Sequence, residues 1–391
     1  MELSTFSFPT EIRFGPGARA ALADFAARHQ VWRPLLVTDP GMVPTEAYRL
    51  VAQQMDLTWP QQWHVSSEVH PNPLEPDVEA LWTAYQESDC DAVVGLGGGS
   101  ALDAAKAVRL KAAFPQSRLT GIPLDALPAR LIPMAAIPTT AGTGSEVGRS
   151  TVITIPELGR KVVLGGPPLM PELAILDAEL TVSLPPHLTA ATGMDAMTHA
   201  IESYVCPMFH PMCDAIALEA VRIVTRWLPI AVDNGVDIEA RGQMLIAASM
   251  GAVSFQKDLG ATHSLAHPLS TDFGVHHGLA NAVLLPTVVR FNGQADSNQY
   301  ARVAQAMGLV INADNDLAAD KNSEADPARA VADALEAMNR RIGITQRLRD
   351  LDIPRDALAS LAEKAMQDGC HLTNPRPCTL ADMVQLYQQA W

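Results

Sequence analysis

A chain of 391 residues is too long for one ordinary compact domain and suits two, each with a sizeable core. Its 48% hydrophobic and 18% charged content excludes a disordered chain, and a net charge of −15 opposes encounter with a nucleic-acid backbone or an anionic membrane. Any anionic ligand must therefore be held by local cations or by helix N-termini.

The opening MELSTFSFPTEIRFG has neither a basic n-region nor an uninterrupted apolar run, so no secretory signal is expected. From there to residue 184, short apolar or β-branched runs alternate with alanine-rich helical stretches: PLLVTD (34–39), DAVVGLGGGS (91–100), LIPMAAIPTT (131–140), STVITI (150–155) and LAILD (173–177). Runs bounded by turn residues and separated by helices predict buried parallel strands, hence a doubly wound α/β dinucleotide-binding domain over 1–184 with its ligands beyond the carboxyl ends of the strands. In VSLPPHLTAATG (182–193), Pro185 and Pro186 stop extended structure and polar residues open a helix. Helical patterns then dominate, in 211–228, 238–255 and 326–343, so 185–391 reads as an all-α domain. The acidic stretch ADNDLAADKNSEAD (313–326) reads as a solvated loop. No segment supplies the roughly twenty apolar residues of a spanning helix. Five cysteines, Cys90, Cys206, Cys213, Cys370 and Cys378, are odd in number and lack CxxC spacing, which suggests reduced thiols in a cytoplasm.

Two turns point to phosphate chemistry. Gly95, Gly97, Gly98, Gly99 and Ser100 follow an apolar strand and precede the helical ALDAAKAVRLKAA. Consecutive glycines let a backbone approach a pyrophosphate, and the following helix offers unpaired N–H groups. The second turn, PTTAGTGSEV (138–147), again follows a strand and supplies Thr139, Thr140, Thr143 and Ser145. Two such turns off one sheet favour a nucleotide over plain tight turns.

The histidines point to a metal. GMDAMTHA (193–200) sets Asp195 and His199 four apart, on one helix face, and THSLAHPLSTDFGVHHGLANA (262–282) does the same for His263 and His267 before reaching His276 and His277. One carboxylate with several imidazoles suits a catalytic divalent cation such as Fe(II) or Zn(II). Spacing alone leaves open which of His263, His267 and His277 bind it. For His276, and for His210, an ordinary structural role is preferred.

Together GLGGGSALDAAK, PTTAGTGSEV, GMDAMTHAIE and HSLAHPLSTDFGVHHGLANAVLLP resemble the iron-containing, group III alcohol dehydrogenase family, and the likeness runs in order over nearly the whole chain. The resemblance implies a dehydroquinate synthase-like pair of domains with the active site in the cleft between them. It implies Asp195, His199, His263 and His277 as metal ligands, with Fe2+ ahead of Zn2+, and His267 beside the metal without coordinating it. It implies that Gly97, Gly98, Gly99 and Ser100 hold the NAD pyrophosphate, that Asp103 fixes the nicotinamide side, and that Thr139, Thr140 and Thr143 line the adenine and ribose pocket. Asn72 and Lys161 fall at cofactor-proximal positions. Asp39, near the adenosine ribose, would accept from a 2′-hydroxyl and repel a 2′-phosphate, favouring NAD over NADP. The implied reaction is Lewis-acid activation of an alcohol and hydride transfer to nicotinamide, with His267 relaying the proton. A homodimer or larger homo-oligomer is implied as well.

Some positions depart from the family's commonest wording. Arg149 stands where many members are uncharged, Ala178 replaces proline, and Asp258 and Ser270 stand where glycine is frequent. Ala178, Asp258 and Ser270 read as neutral backbone variation. A guanidinium near a substrate could pair bidentately with a carboxylate, sulfonate or phosphate; its competing reading is a local pair with Glu146 or another nearby acid. Arg149, Ser150, Phe255 and Lys257 are thus candidate substrate residues, selecting a small primary alcohol that carries an acidic group. The alternatives are a cyclase or lyase resembling dehydroquinate synthase, in which NAD turns over transiently, and a metal-free nucleotide-binding protein.

Overall fold

The computed structural model describes residue 8, residues 10–310 and residues 326–391; all of the acidic stretch except Asp326 lies outside the described residues. The chain divides into two compact units. One runs up to Pro185 and includes Gly235–Ser249, and the other comprises Pro186–Asn234 and Met250–Trp391.

The first unit is built on strands β1 (Glu11–Phe14), β2 (Pro34–Val37), β3 (His64–Ser66), β4 (Ala92–Gly97), β5 (Met134–Pro138), and a hairpin β6 (Ser150–Ile155) and β7 (Arg160–Gly165), followed by β8 (Leu173–Leu176). Its helices are α1 (Leu22–His29), α2 (Glu46–Thr58), α3 (Glu75–Glu87) and α4 (Gly99–Ala113), joined by residues 238–249 of a later helix. Six strands form one parallel sheet in the order β1-β8-β5-β4-β2-β3. Because both faces are covered, the central strands read as continuous apolar runs, and β2, β4, β5 and β8 are buried throughout. Alternation sorts their side chains. Leu36, Val94, Leu96 and Ile137 pack with Phe25 of α1 and Val51 and Met55 of α2, whereas Leu35, Val37, Val93 and Ala136 pack with Leu81 of α3 and Leu102 and Val108 of α4. Each fully buried Val or Leu contributes about 1.5–3 kcal/mol, so these two layers fix the sheet on which the glycine turn is carried.

STVITI is not a strand of this sheet, contrary to its sequence reading. It is β6, paired antiparallel with β7 from Ser150 opposite Gly165 to Ile155 opposite Arg160. Its side chains alternate between buried and half-buried, the pattern of a strand covered on one face. The chain reverses over Pro156–Gly159, with Gly159 at φ 58, too short a connection for a parallel crossover.

The second unit is helical, with α5 (Pro186–Val205), α6 (Pro211–Asp233), the end of α7 (Ile238–Ser254), α8 (Ala261–Phe273), α9 (His277–Gly293), α10 (Ala301–Ala306), α11 (Pro327–Arg341), α12 (Leu358–Ala365) and α13 (Leu380–Ala390). Leu265 and Leu269 of α8 meet Leu284 and Val288 of α9, Leu361 of α12, and Met383 and Leu386 of α13 in one core. Tyr387 of α13 donates its hydroxyl to the Leu265 carbonyl at 2.6 Å, fixing α8 from behind. A Cβ on Gly278 would lie 2.2 Å from the Ala191 carbonyl oxygen, so glycine there is what lets α9 approach α5 and bring His277 towards Asp195.

Candidate metal and cofactor sites

Three helices of the second unit converge on one carboxylate oxygen. Nε2 of His199, one turn after Asp195 on α5, lies 3.9 Å from Asp195 Oδ1. His263 Nε2 on α8 is also 3.9 Å from that oxygen, and His277 Nε2 at the start of α9 is 3.5 Å from it. Donor atoms of Asp195, His263 and His277 all lie within 4.8 Å of one another, and the rings of His199 and His263 stack with centroids 4.8 Å apart. These spacings exceed a good N–H···O hydrogen bond. Two ligands held about 2.0–2.2 Å from a shared ion at a tetrahedral angle would be about 3.3–3.6 Å apart, so the donor set fits a transition metal. Asp195, His199 and His263 are buried, and a cation among them would offset the cost of gathering a carboxylate and imidazoles away from water.

The candidate ligand imidazoles are themselves held. Glu202, fully buried on α5, accepts from His263 Nδ1 at 2.7 Å and from the backbone N–H groups of Thr262 at 2.6 Å and Gly260 at 3.0 Å. Burial opposes the charge on both partners, yet their hydrogen bond and mutual attraction prevail: the Glu202 carboxyl lies below its ordinary range and the His263 imidazole above its own. With Nδ1–H donated to Glu202, Nε2 is left as the lone pair for a metal. His267 sits beside the set. Its ring stacks on that of His277 at 5.3 Å, and its Nδ1 hydrogen-bonds Asp368 Oδ2 at 2.8 Å. Burial would raise the Asp368 carboxyl, but His267, the Cys370 N–H and the Ser264 hydroxyl hold it well below the usual carboxylate range. Sequence reasoning missed Glu202 and Asp368, and with them Asn281, whose Nδ2 donates to Asp195 Oδ1 at 2.7 Å. His276 is exposed ahead of α9, and buried His210 accepts at Nδ1 from the Cys213 N–H at 3.1 Å, capping α6.

In the first unit the two polar turns meet at the carboxyl ends of β4 and β5. Thr139 N donates to the Gly97 carbonyl at 2.9 Å. A Cβ on Gly99 would be 2.7 Å from Thr143 Cγ2, so glycine there is what allows the turns to nest, whereas one on Gly98 would meet Thr140 at an ordinary 3.4 Å. Helix α4 begins at Gly99 with no side-chain cap, leaving the amides of its first turn for an anion. Asp39 lies over the same turn: its Oδ1 accepts from Met42 N at 3.0 Å, and its Oδ2 would be 3.3 Å from a Cβ on Gly97. Asp103, one turn into α4, is taken up by the fold, with Oδ1 accepting from Ser145 Oγ at 2.5 Å and Oδ2 from Val152 N at 2.9 Å. Burial raises its carboxyl, against the pull of Lys106. Lys106 is a further residue that sequence reasoning missed: fully buried, it donates to Ser145 Oγ and to the Ser150 carbonyl, each at 2.8 Å, and desolvation pushes its ammonium down to about 8. Asn72 adopts left-handed backbone at φ 54 in the turn before α3, and Lys161 stands on β7 opposite Thr154.

The four candidate substrate residues separate. Phe255 packs its ring against His199 with centroids 5.1 Å apart. Ser150 opens β6, where its carbonyl receives Lys106. Lys257 is not available to a substrate, because its buried ammonium is committed to the Asp214 carboxylate and to the Tyr204 carbonyl at 3.1 Å. Arg149 is exposed and its guanidinium has no ion pair among the described residues; Glu146, its competing partner by sequence, is buried and accepts from Ser249 Oγ at 2.6 Å.

Among the described residues no helix is long and apolar enough to cross a membrane. Residues 9–178 match the family model for iron-containing alcohol dehydrogenase, and residues 189–391 match the C-terminal model of the Fe-containing alcohol dehydrogenase family. A 4-hydroxybutyrate dehydrogenase of Cupriavidus necator is 36% identical over 394 residues, spanning 97% of this chain and 98% of its own. Among solved structures, a 1,3-propanediol oxidoreductase superposes with a TM-score of 0.92 at 32% identity, covering 99% of this chain and 100% of that one. A sulfoacetaldehyde reductase from Bifidobacterium kashiwanohense, solved in complex with NAD+, gives 0.86 at 30% identity and covers 100% of this chain and 99% of its own. The chain belongs to the iron-containing alcohol dehydrogenase family and is an oxidoreductase acting on an alcohol or the matching aldehyde.

Proposed function

We propose that this chain interconverts a small primary alcohol carrying an acidic group and its aldehyde, with NAD(H) as hydride carrier and Fe2+, ahead of Zn2+, held by Asp195, His199, His263 and His277. The observation that carries the reading is the convergence of three imidazole Nε2 atoms on Asp195 Oδ1 at 3.5–3.9 Å. When bound, the cation supplies Lewis acidity that lowers the pKa of an alcohol hydroxyl, and NAD supplies the hydride acceptor. The chain's own residues do the rest. Asp368 holds Nδ1 of His267, which keeps Nε2 of that ring for the proton the hydroxyl gives up. The Gly97–Ser100 turn and the open N-terminus of α4 take the pyrophosphate, and Asp39 selects NAD by accepting from a ribose hydroxyl.

The acidic group is supported by Arg149, which has no ion pair among the described residues, and by the names of two relatives, a 4-hydroxybutyrate dehydrogenase and a sulfoacetaldehyde reductase. The assignment extends to a cytoplasmic homodimer or larger homo-oligomer, without a nucleic-acid or membrane partner. The test is a panel of ω-hydroxy acids and neutral alcohols of matched length, with NAD(H) and NADP(H), after reconstitution with each metal. Arg149→Ala should lower kcat/KM for the acidic members by about tenfold or more and spare the neutral ones. An unchanged ratio would remove the acidic group from the proposal.

A further inference from the structure

Asn281 follows His277 by one helical turn on α9 and is completely buried. Its Nδ2 lies 2.7 Å from Asp195 Oδ1, 3.2 Å from His277 Nε2 and 3.3 Å from His263 Nε2. An amide nitrogen carries two hydrogens, and a carboxylate oxygen and two imidazole nitrogens face it. The carboxylate takes the shortest, charge-assisted bond. At its other end the amide is not anchored: Oδ1 is buried and accepts no hydrogen bond from the described residues. Turning the amide over would set that oxygen against the Asp195 carboxylate and the His263 Nε2 lone pair. The orientation of Asn281 is therefore imposed by the donor set, and the fold leaves a buried carbonyl unsatisfied to keep it.

We propose that Asn281 is a positioning residue of the metal centre, holding the Asp195 carboxylate towards the imidazole nitrogens and lending partial positive charge to the facing lone pairs when no cation is bound. The donor set is then assembled before metal arrives. Once the imidazole lone pairs are committed to a dication, the amide retains Asp195 as its acceptor. This inference rests on reading Asp195, His199, His263 and His277 as the metal site.

The test uses the full chain stripped of metal, titrated with Co2+ while its ligand-field absorption is followed, and with Zn2+ against a chromophoric chelator. Asn281→Ala should bind both ions about 10–100-fold more weakly, with a shifted cobalt spectrum. The comparison is Asn339→Ala. Buried Asn339 on α11 donates to the Ala282 carbonyl at 2.7 Å, so its loss should lower the Tm while leaving metal affinity and spectrum unchanged. If Asn281→Ala does not fold, Asn281→Ser, too short to span the gap, should show the same loss of affinity. Wild-type affinity and spectrum in the Asn281 variants would overturn the proposal, as would an equal loss of affinity in Asn339→Ala. A wild-type chain that takes up neither ion would overturn the metal reading itself, and this inference with it.

Discussion

Glu202 Oε2 lies 2.7 Å from Nδ1 of His263, one buried carboxylate fixing both the tautomer and the plane of an imidazole whose Nε2 faces Asp195. The same carboxylate closes the turn into α8 through the N–H groups of Gly260 and Thr262. Replacing it breaks a buried charged network at both levels. Glu202→Gln should weaken metal binding by about 10–100-fold and destabilise the chain by on the order of 3 kcal/mol. Chelator competition and denaturant melts measure the two effects separately. A variant that lost stability but kept its metal affinity would reduce Glu202 to a brace of the turn.

Asp39 is expected to set the cofactor. A 2′-phosphate approaching its carboxylate would meet like charge, an interaction of about 1–4 kcal/mol per pair of unit charges at 4 Å, depending on the effective dielectric. Asp39→Ala should therefore raise kcat/KM for NADP relative to NAD by about tenfold or more, chiefly through KM. Initial rates with both nucleotides decide it, and an unmoved ratio would place the 2′ position elsewhere.

Much of this was legible because the chemistry left local traces. The glycine turn lay between an apolar run and a helix, and Asp195 with His199 carried the four-residue spacing of a helix face. The proposed ligands His263 and His277 were visible as histidines, but choosing among three candidates needed the family resemblance. What was not legible depends on long-range partners. Asp368 reaches His267 across 101 residues with no pattern joining them. Lys257 read as a candidate substrate residue because nothing in FQKDLG announces the half-buried Asp214 that its ammonium pairs with. Glu202 and Asn281 did leave a signal, a polar residue inside an otherwise buried helical run at helical spacing from a ligand. In STVITI the burial alternates but the residue types do not, so its place in a series of parallel strands decided the reading.

Asp258 shows that a substitution which reads as neutral can carry a cost. Its backbone sits at φ 74 and ψ −179, a region occupied almost only by glycine. Such a conformation costs roughly 1–3 kcal/mol in a residue with a Cβ, of which glycine's greater freedom in the unfolded chain would give back about 0.5–1 kcal/mol. Asp258→Gly should thus stabilise the chain by about 1 kcal/mol and raise the Tm by a few degrees, seen in thermal melts of the two proteins side by side. A lower Tm would mean that the Asp258 side chain contributes more than its backbone costs.

Lys106 should make stability depend on pH in the direction opposite to an ordinary ion pair. Desolvation outweighs the attraction of Asp103 and Glu146, so its ammonium titrates near 8 in the folded chain against 10.5 when unfolded. Below pH 8 both states hold the proton, and the cost of burying the charge is present in full. Between pH 8 and 10.5 the folded chain releases the proton first, the unfolded chain binds more, and stability rises with pH, by about 3 kcal/mol over the window. Lys106→Met lacks this term. Urea denaturation of both proteins from pH 7 to pH 10 should show the wild type gaining on the variant above pH 8. Curves that stay parallel would mean that Ser145 Oγ, the Ser150 carbonyl and Asp103 compensate the buried charge completely.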